Sequence, residues 1–158
     1  MGLTPVYIEY KLKSQIISIA SISEGIMETT KWTGFTDWGF LPGIKSCSKT
    51  KETENGVGTI FSVQNLDGST HKEEILEWDT KNKIVILMYD FSKPLASFAD
   101  HFIETWEMQS IEGITHIKRY FYLYPKNILG KILLQIIAPF FKQAVKKHFR
   151  TMESSSLI

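Results

Sequence analysis

The chain has 158 residues, of which 43% are hydrophobic and 13% aromatic, and its 18 basic and 17 acidic side chains give a formal net charge of +1. This length and composition predict one soluble globular domain over residues 1–158 and exclude a disordered chain. A near-neutral chain without blocks of Lys or Arg offers no electrostatic footprint for nucleic acid, and the single cysteine, Cys47, excludes an internal disulfide.

The first third of the chain predicts a strand followed by helical segments. Residues 6–13 form the strand, and residues 14–43 carry interrupted helical signals with a helix start at Ser23. The apolar run at 16–20 is too short and begins too late for a secretion signal, which predicts a cytoplasmic protein. An aromatic cluster then forms either core beneath the helices or a mobile lip at a cavity mouth; it comprises Trp32, Phe35, Trp38 and Phe40.

Residues 44 to 125 have the pattern of an antiparallel sheet. Hairpin signals stand at Asn55-Gly56 and Asp67-Gly68, between segments rich in Thr, Val, Ile, Phe and Tyr. Six strands are predicted here, at about residues 44–53, 57–66, 69–78, 83–91, 100–110 and 114–124. With the first strand they make a sheet of about seven strands.

After Pro125 the apolar residues recur at three- and four-residue steps, which predicts a long amphipathic C-terminal helix. Lys142, Lys146, Lys147 and Arg150 mark its wet face, and Pro139 is expected to kink it. The apolar run at 128–141 is too short and too polar to cross a bilayer, so no stable membrane insertion is expected. A sheet with one long apolar helix must bury that helix on its concave face, and the space between them is the natural pocket.

Several local strings occur in a characteristic order and spacing: Leu41-Pro42-Gly43-Ile44, Gly56-Val57-Gly58-Thr59, Asp67-Gly68, Glu73-Glu74-Ile75-Leu76-Glu77-Trp78-Asp79, Gly113 with Thr115, Pro125, and Leu129-Gly130-Lys131-Ile132-Leu133. Together they resemble the START-like superfamily of helix-grip proteins, within it the polyketide cyclase/dehydrase and lipid-transport group. The resemblance spans nearly the whole chain and is weakest over residues 14–36.

This resemblance implies an α+β helix-grip fold, with a curved antiparallel sheet of about seven strands wrapped around a long C-terminal helix and short helices after strand 1. It also implies a single ligand-binding domain whose cavity lies between the sheet and the helix. It implies no particular reaction, since members include carriers, cyclases, aromatases and quinone-binding proteins without a shared catalytic set.

The last hairpin supplies the most informative pair of candidate site residues. A turn near residues 111–113 places Glu104 or Trp106 opposite Arg119. The more apolar face should point inward, and it carries Phe102, Glu104, Trp106, Met108, Ile117, Arg119, Phe121 and Leu123. Glu104 and Arg119 would then form an ion pair facing an apolar cavity. Such a pair either orients a carboxylate, carbonyl or hydroxyl of a ligand or is a self-satisfied structural pair; a register in which both face water is the remaining alternative.

A second candidate is Glu74, because the set Glu74, Leu76, Trp78 is more apolar than the residues that alternate with it. A carboxyl group in such a pocket would have a raised pKa and could act as a general acid or base, whereas the alternative is a solvated strand glutamate. The remaining candidate cavity residues are apolar or aromatic: Leu76, Trp78, Tyr89, Trp106, Met108, Ile117, Phe121, Leu133, Ile137 and Phe141.

The four histidines, His71, His101, His116 and His148, lack the paired spacing of metal ligands, so neither a metal site nor a cofactor is predicted. His148 falls on the apolar stripe of the last helix, which favours a hydrogen-bonded core histidine. Cys47, without a predicted base beside it, is expected to be an inert small side chain.

The favoured function is binding of a small or medium hydrophobic ligand, such as a lipid, a polyketide or an isoprenoid-like molecule. The first alternative is a cyclase or dehydratase that uses Glu74 or Glu104 as general acid or base and Arg119 to stabilise an enolate. The second is an interaction protein that uses the basic end of its last helix at a membrane or ribosome surface.

Overall fold

The computed structural model describes residues 2–156, which form seven strands and two α-helices. In chain order these are β1 Val6–Ser14, α1 Ile19–Met27, β2 Ile44–Lys51, β3 Ile60–Asn65, β4 Thr70–Asp79, β5 Lys83–Tyr89, β6 Ala99–Ile111, β7 Ile114–Pro125 and α2 Ile128–Ser156. Short 3-10 segments follow α1 at Thr29–Gly34 and precede β6 at Leu95–Ser97.

All seven strands join one antiparallel sheet in the order β1-β7-β6-β5-β4-β3-β2. From β2 to β7, each strand pairs with the next strand in sequence. Strand β1 pairs with β7 and forms the edge of the sheet opposite β2. The concave face of this sheet packs against α1 and α2 around one hydrophobic core. The predicted fold class is confirmed: a curved seven-stranded sheet grips a long C-terminal helix, with a short helix after strand 1.

The first helix begins earlier than the sequence pattern indicates. Ser18 is its N-cap, and the Ser18 hydroxyl accepts a hydrogen bond from the backbone N–H of Ser21 at 3.1 Å. The expected start at Ser23 is therefore wrong, because Ser23 lies inside the helix with its hydroxyl bonded to the carbonyl of Ala20.

The start of α2 is held against the loop before β6. Asn127 Oδ1 accepts the backbone N–H of Gly130 at 2.7 Å, which caps the first turn. Gly130 packs so closely on Phe98 that a Cβ there would overlap the Phe98 carbonyl oxygen. From this anchor the helix continues through Pro139 for 29 residues.

Candidate functional site

A cavity of about 810 Å³ lies between the concave face of the sheet and α2. Its wall is mostly apolar: α1 and the following 3-10 segment contribute Ile22, Ile26 and Trp32, the sheet contributes Ile86, Met88, Phe102, Trp106 and Phe121, and α2 contributes Leu133, Leu134, Ile137 and Phe141. Exposed residues at its edge, such as Lys31, Phe40, Asp67 and Ser155, show that the cavity reaches the surface.

Three polar side chains from three elements meet at the inner wall of this cavity. Arg119 on β7 donates from Nε and Nη2 to Glu104 Oε2 on β6, at 2.8 and 2.6 Å. Its Nη1 lies 2.9 Å from Nδ1 of His148 on α2. Trp106 is the direct cross-strand partner of Arg119, and the guanidinium carbon lies 4.2 Å from the centre of the indole ring. The Arg119 guanidinium is therefore bound within the protein on three sides.

The electrostatics of this triad follow from its burial. Burial raises the pKa of Glu104, the charge of Arg119 opposes that rise, and the nearby carboxyl of Glu73 adds to it. Burial and the charge of Arg119 lower the pKa of His148 to about 3. His148 is consequently neutral near pH 7: Nδ1 accepts from Arg119, and Nε2 carries the proton.

Because the folded state resists protonation of His148, we expect acid to destabilise the domain through this residue. An unfolded histidine takes up a proton near pH 6.5, so stability is lost as the pH falls from there toward 3. Urea unfolding at pH 7 and pH 4.5 should show a loss about 2 kcal/mol larger for the parent than for His148→Asn, which keeps an acceptor but cannot charge. Equal losses in the two proteins would contradict this assignment.

A second polar cluster lies on the cavity wall near the other edge of the sheet. His71 Nε2 and Glu73 Oε1 on β4 are 2.9 Å apart, and both side chains are buried. Asn65 Nδ2 at the end of β3 lies 3.4 Å from His71 Nδ1 and donates to the Ser69 hydroxyl at 3.1 Å. When Nδ1 accepts from Asn65, His71 donates from Nε2 to Glu73. Sequence reasoning missed this cluster, although the His-x-Glu spacing, which puts both residues on one face of a strand, was visible.

The expected orientation of β4 is wrong, and a β-bulge explains why. The pairing with β5 shifts between Ile75 and Glu77, which leaves Leu76 without a partner. Trp78 therefore faces the concave side as Ile75 does, although the two are three positions apart and strict alternation would put them on opposite faces. Strict alternation along the strand groups Glu74 and Leu76 with Trp78. In the structure, Glu74 and Leu76 both point away from the cavity. Trp78 itself packs on the core and covers Gly56 instead of lining the cavity.

Three other candidate residues are also not at the cavity wall. Tyr89 borders a shallow depression on the outer surface with Asp100 and His101, because side chains alternate along β5 and its neighbour Met88 lines the cavity. Met108 and Ile117 face the concave side, but they pair with each other near the β6–β7 turn and fill the packed core. Seven candidates do line the cavity: Glu104, Trp106, Arg119, Phe121, Leu133, Ile137 and Phe141. Their role in ligand binding stays a prediction.

The aromatic cluster divides between core and surface. Trp32 packs on Phe61 with ring centres 4.6 Å apart and donates from Nε1 to the carbonyl of Ile26 at 2.9 Å. Phe40 is instead 60% exposed at the cavity edge, where it contacts Phe140 of α2. Trp32 is thus part of the wall of the cavity, whereas Phe40 belongs to its rim.

Within residues 2–156, no three His, Cys, Asp or Glu side chains lie close enough together to hold a metal ion. Burial, with a smaller contribution from Glu73, raises the pKa of the Cys47 thiol to about 12. Cys47 is consequently protonated near neutral pH and is a poor nucleophile.

Neither a family model nor a curated protein matches the sequence. Solved structures do match, over nearly the whole chain. Ara h 8.0201 is 16% identical with a TM-score of 0.67, covering 97% of this chain and 98% of that one. Major latex-like protein 151 of Panax ginseng is 13% identical with a TM-score of 0.66, covering 97% and 99%. A protein of Thermus thermophilus is 13% identical with a TM-score of 0.68, covering 96% and 97%. These likenesses show the fold of residues 2–156, which is the helix-grip arrangement that the START-like resemblance implied.

Proposed function

We propose that this protein binds a small or medium hydrophobic molecule, of the lipid, polyketide or isoprenoid-like class, between its sheet and α2. The observation that carries the proposal is the cavity itself. Its volume of about 810 Å³ falls in the upper part of the range of ligand pockets, roughly 300 to 1,000 Å³. An apolar wall with a few convergent polar groups is the usual composition of such a pocket.

The polar groups favour a ligand with an uncharged oxygen, such as a hydroxyl or a carbonyl. Arg119 is already paired with Glu104, so it presents no free charge for a ligand carboxylate to neutralise. Glu73 adds another carboxyl group to the same wall, and it would repel an anion.

Narrowing the cavity from α2 tests the proposal. Leu133 and Ile132 are consecutive residues whose side chains point about 100° apart around the helix axis. Leu133 lines the cavity, and Ile132 is 49% exposed. We expect Leu133→Trp to weaken binding of the neutral fluorescent probe N-phenyl-1-naphthylamine by about tenfold or more, because the indole occupies space that the probe needs. Ile132→Trp adds the same group outside and should bind the probe as the parent does.

Fluorescence titration of the three proteins measures their affinity for the probe, and thermal unfolding confirms that each is folded. Equal affinity of the Leu133→Trp variant and the parent would place the probe elsewhere and remove support for the cavity. Native mass spectrometry of the protein purified from its own host would then give the mass of the natural ligand.

The His71–Glu73 pair supports an enzyme as the alternative function. Of the two carboxyls first considered for it, Glu74 lies outside the cavity and Glu104 is held by Arg119. Glu73 faces the cavity with a histidine 2.9 Å away, an arrangement suited to moving a proton in a cyclisation or dehydration. Chemical conversion of the recovered ligand during incubation, absent from a Glu73→Gln variant, distinguishes the enzyme from the carrier.

A further inference from the structure

The first half of α2 is apolar on both its inner and its outer side. Toward the domain, Leu134 is fully buried and Leu133 and Ile137 line the cavity. The outer side of the same turns is exposed to solvent: the exposed fractions are 69% for Ile128, 69% for Leu129, 49% for Ile132 and 55% for Ile136. Contiguous apolar surface of this kind on a soluble protein marks a site of interaction. We call these four residues the α2 patch.

Aromatic residues extend the α2 patch to the edge of the cavity. Phe140, one helical turn beyond Ile136, contacts Phe40 with ring centres 4.7 Å apart. Phe40 is itself exposed and lines the cavity edge, and Trp38, two residues before it in sequence, is 39% exposed. The apolar surface therefore runs from the first turn of α2 to the cavity rim.

The surface around the α2 patch is basic. Between residues 126 and 152 the sequence has six Lys or Arg side chains and no Asp or Glu, although the whole chain carries a formal net charge of only +1. Because 18 residues make about five helical turns, Lys146 lies in line with Ile128 and Arg150 in line with Ile132. Among residues 2–156, neither Lys146 nor Arg150 forms an ion pair, whereas Lys147 lies 3.9 Å from Asp37.

We propose that the α2 patch docks on the surface of an anionic lipid bilayer, with the helix lying in the plane of the interface. Apolar side chains that enter the headgroup boundary, together with Lys and Arg beside acidic headgroups, are the two parts of interfacial binding. Contrary to the expectation from the sequence, an 18-residue stretch of α2 with a mean hydropathy of 1.4 is long and apolar enough, by length and composition alone, to cross a membrane. Its inner side is occupied, however: Leu134, Val145 and Phe149 are buried in the domain core.

A second copy of the chain fits the α2 patch less well than a lipid surface does. Face-to-face association would bring two segments together that each carry six basic and no acidic side chains. Repulsion between these like charges would oppose such a dimer, whereas an anionic surface attracts them. The docking does not depend on ligand binding, although it would turn the rim residue Phe40 toward the bilayer.

Co-sedimentation with vesicles tests the apolar part of the proposal. We expect the parent to bind vesicles of phosphatidylcholine mixed with phosphatidylglycerol and to bind pure phosphatidylcholine far less. Ile132→Ser with Ile136→Ser should lower the partition coefficient on the anionic vesicles by about tenfold or more. Leu76→Ser with Ile111→Ser is the matched control, because both residues are 42% exposed but lie on the sheet. The control should bind as the parent does.

The charged part has its own variants. Lys146→Gln with Arg150→Gln should weaken binding to the anionic vesicles by about fivefold for each charge removed, and added salt should weaken binding of the parent. Lys45→Gln with Lys81→Gln removes two exposed lysines elsewhere and should have little effect. Thermal unfolding shows that each variant is folded.

Three results would overturn the proposal. The first is that the parent binds neither kind of vesicle, and the second is that Ile132→Ser with Ile136→Ser binds as strongly as the sheet control. The third comes from sedimentation equilibrium without lipid: a parent dimer that the same double variant converts to monomer would assign the α2 patch to a second copy. Failure of the cavity proposal would instead appear only in the probe titration of the Leu133→Trp variant.

Discussion

Replacing Arg119 by Met should destabilise the domain by about 3 to 5 kcal/mol, because it leaves the buried carboxylate of Glu104 without its partner. Replacing Glu104 by Leu at the same time should recover most of that loss, since no buried charge then remains. The residual cost comes from His148 Nδ1, which loses its donor, and amounts to about 1 kcal/mol. Urea unfolding of Arg119→Met, Glu104→Leu and the double variant at pH 7 measures the loss of stability, its recovery and the residual cost. Equal stability of parent and Arg119→Met would show that the pair is not buried as described.

The same double variant separates an orienting role from a structural one. If the pair orients the polar group of a ligand, Glu104→Leu with Arg119→Met should remain folded and lose affinity for a long-chain alcohol in a calorimetric titration. If the pair is purely structural, the double variant should bind the alcohol as the parent does. The second result would remove Glu104 and Arg119 from the candidate binding residues.

Replacing Phe121 by Ala should cost about 3 to 5 kcal/mol, the usual effect of removing a fully buried aromatic ring. The ring packs edge-on against Phe141 at 4.8 Å and lines the cavity, so its removal also enlarges the binding space. We expect the variant to accept bulkier apolar probes than the parent. Tyr122→Ala is the control, because Tyr122 lies next in sequence on the outer face and is 38% exposed.

Thermal unfolding and probe titration of the two variants check this expectation. A Phe121→Ala variant as stable as the Tyr122→Ala control would mean that the inner face of β7 contributes little to the core.

The β6–β7 hairpin shows where the alternation of side chains along a strand correctly predicts which of them are buried. The short turn at Glu112-Gly113 and the regular pairing between the turn and His101 allowed the register to be predicted. The structure buries Glu104 and Arg119 on one face as that register requires. In β4 the same argument failed at a single bulge. One unpaired residue, Leu76, reverses the alternation, and no composition signal in the strand marks it.

The sequence by itself determined the fold class, because the change from period-two strands to a period-3.6 helix after Pro125 is local information. It also determined that Glu104 and Arg119 share a face, since a tight turn links their strands. Only the tertiary structure decided that His148 accepts from Arg119, that Glu73 and His71 face the cavity, and that the outer side of α2 is exposed. These features depend on the bulge in β4 and on how α2 packs across the sheet. Contacts between elements that are distant in sequence do not change the hydrophobic periodicity of either element, so the sequence pattern does not predict them.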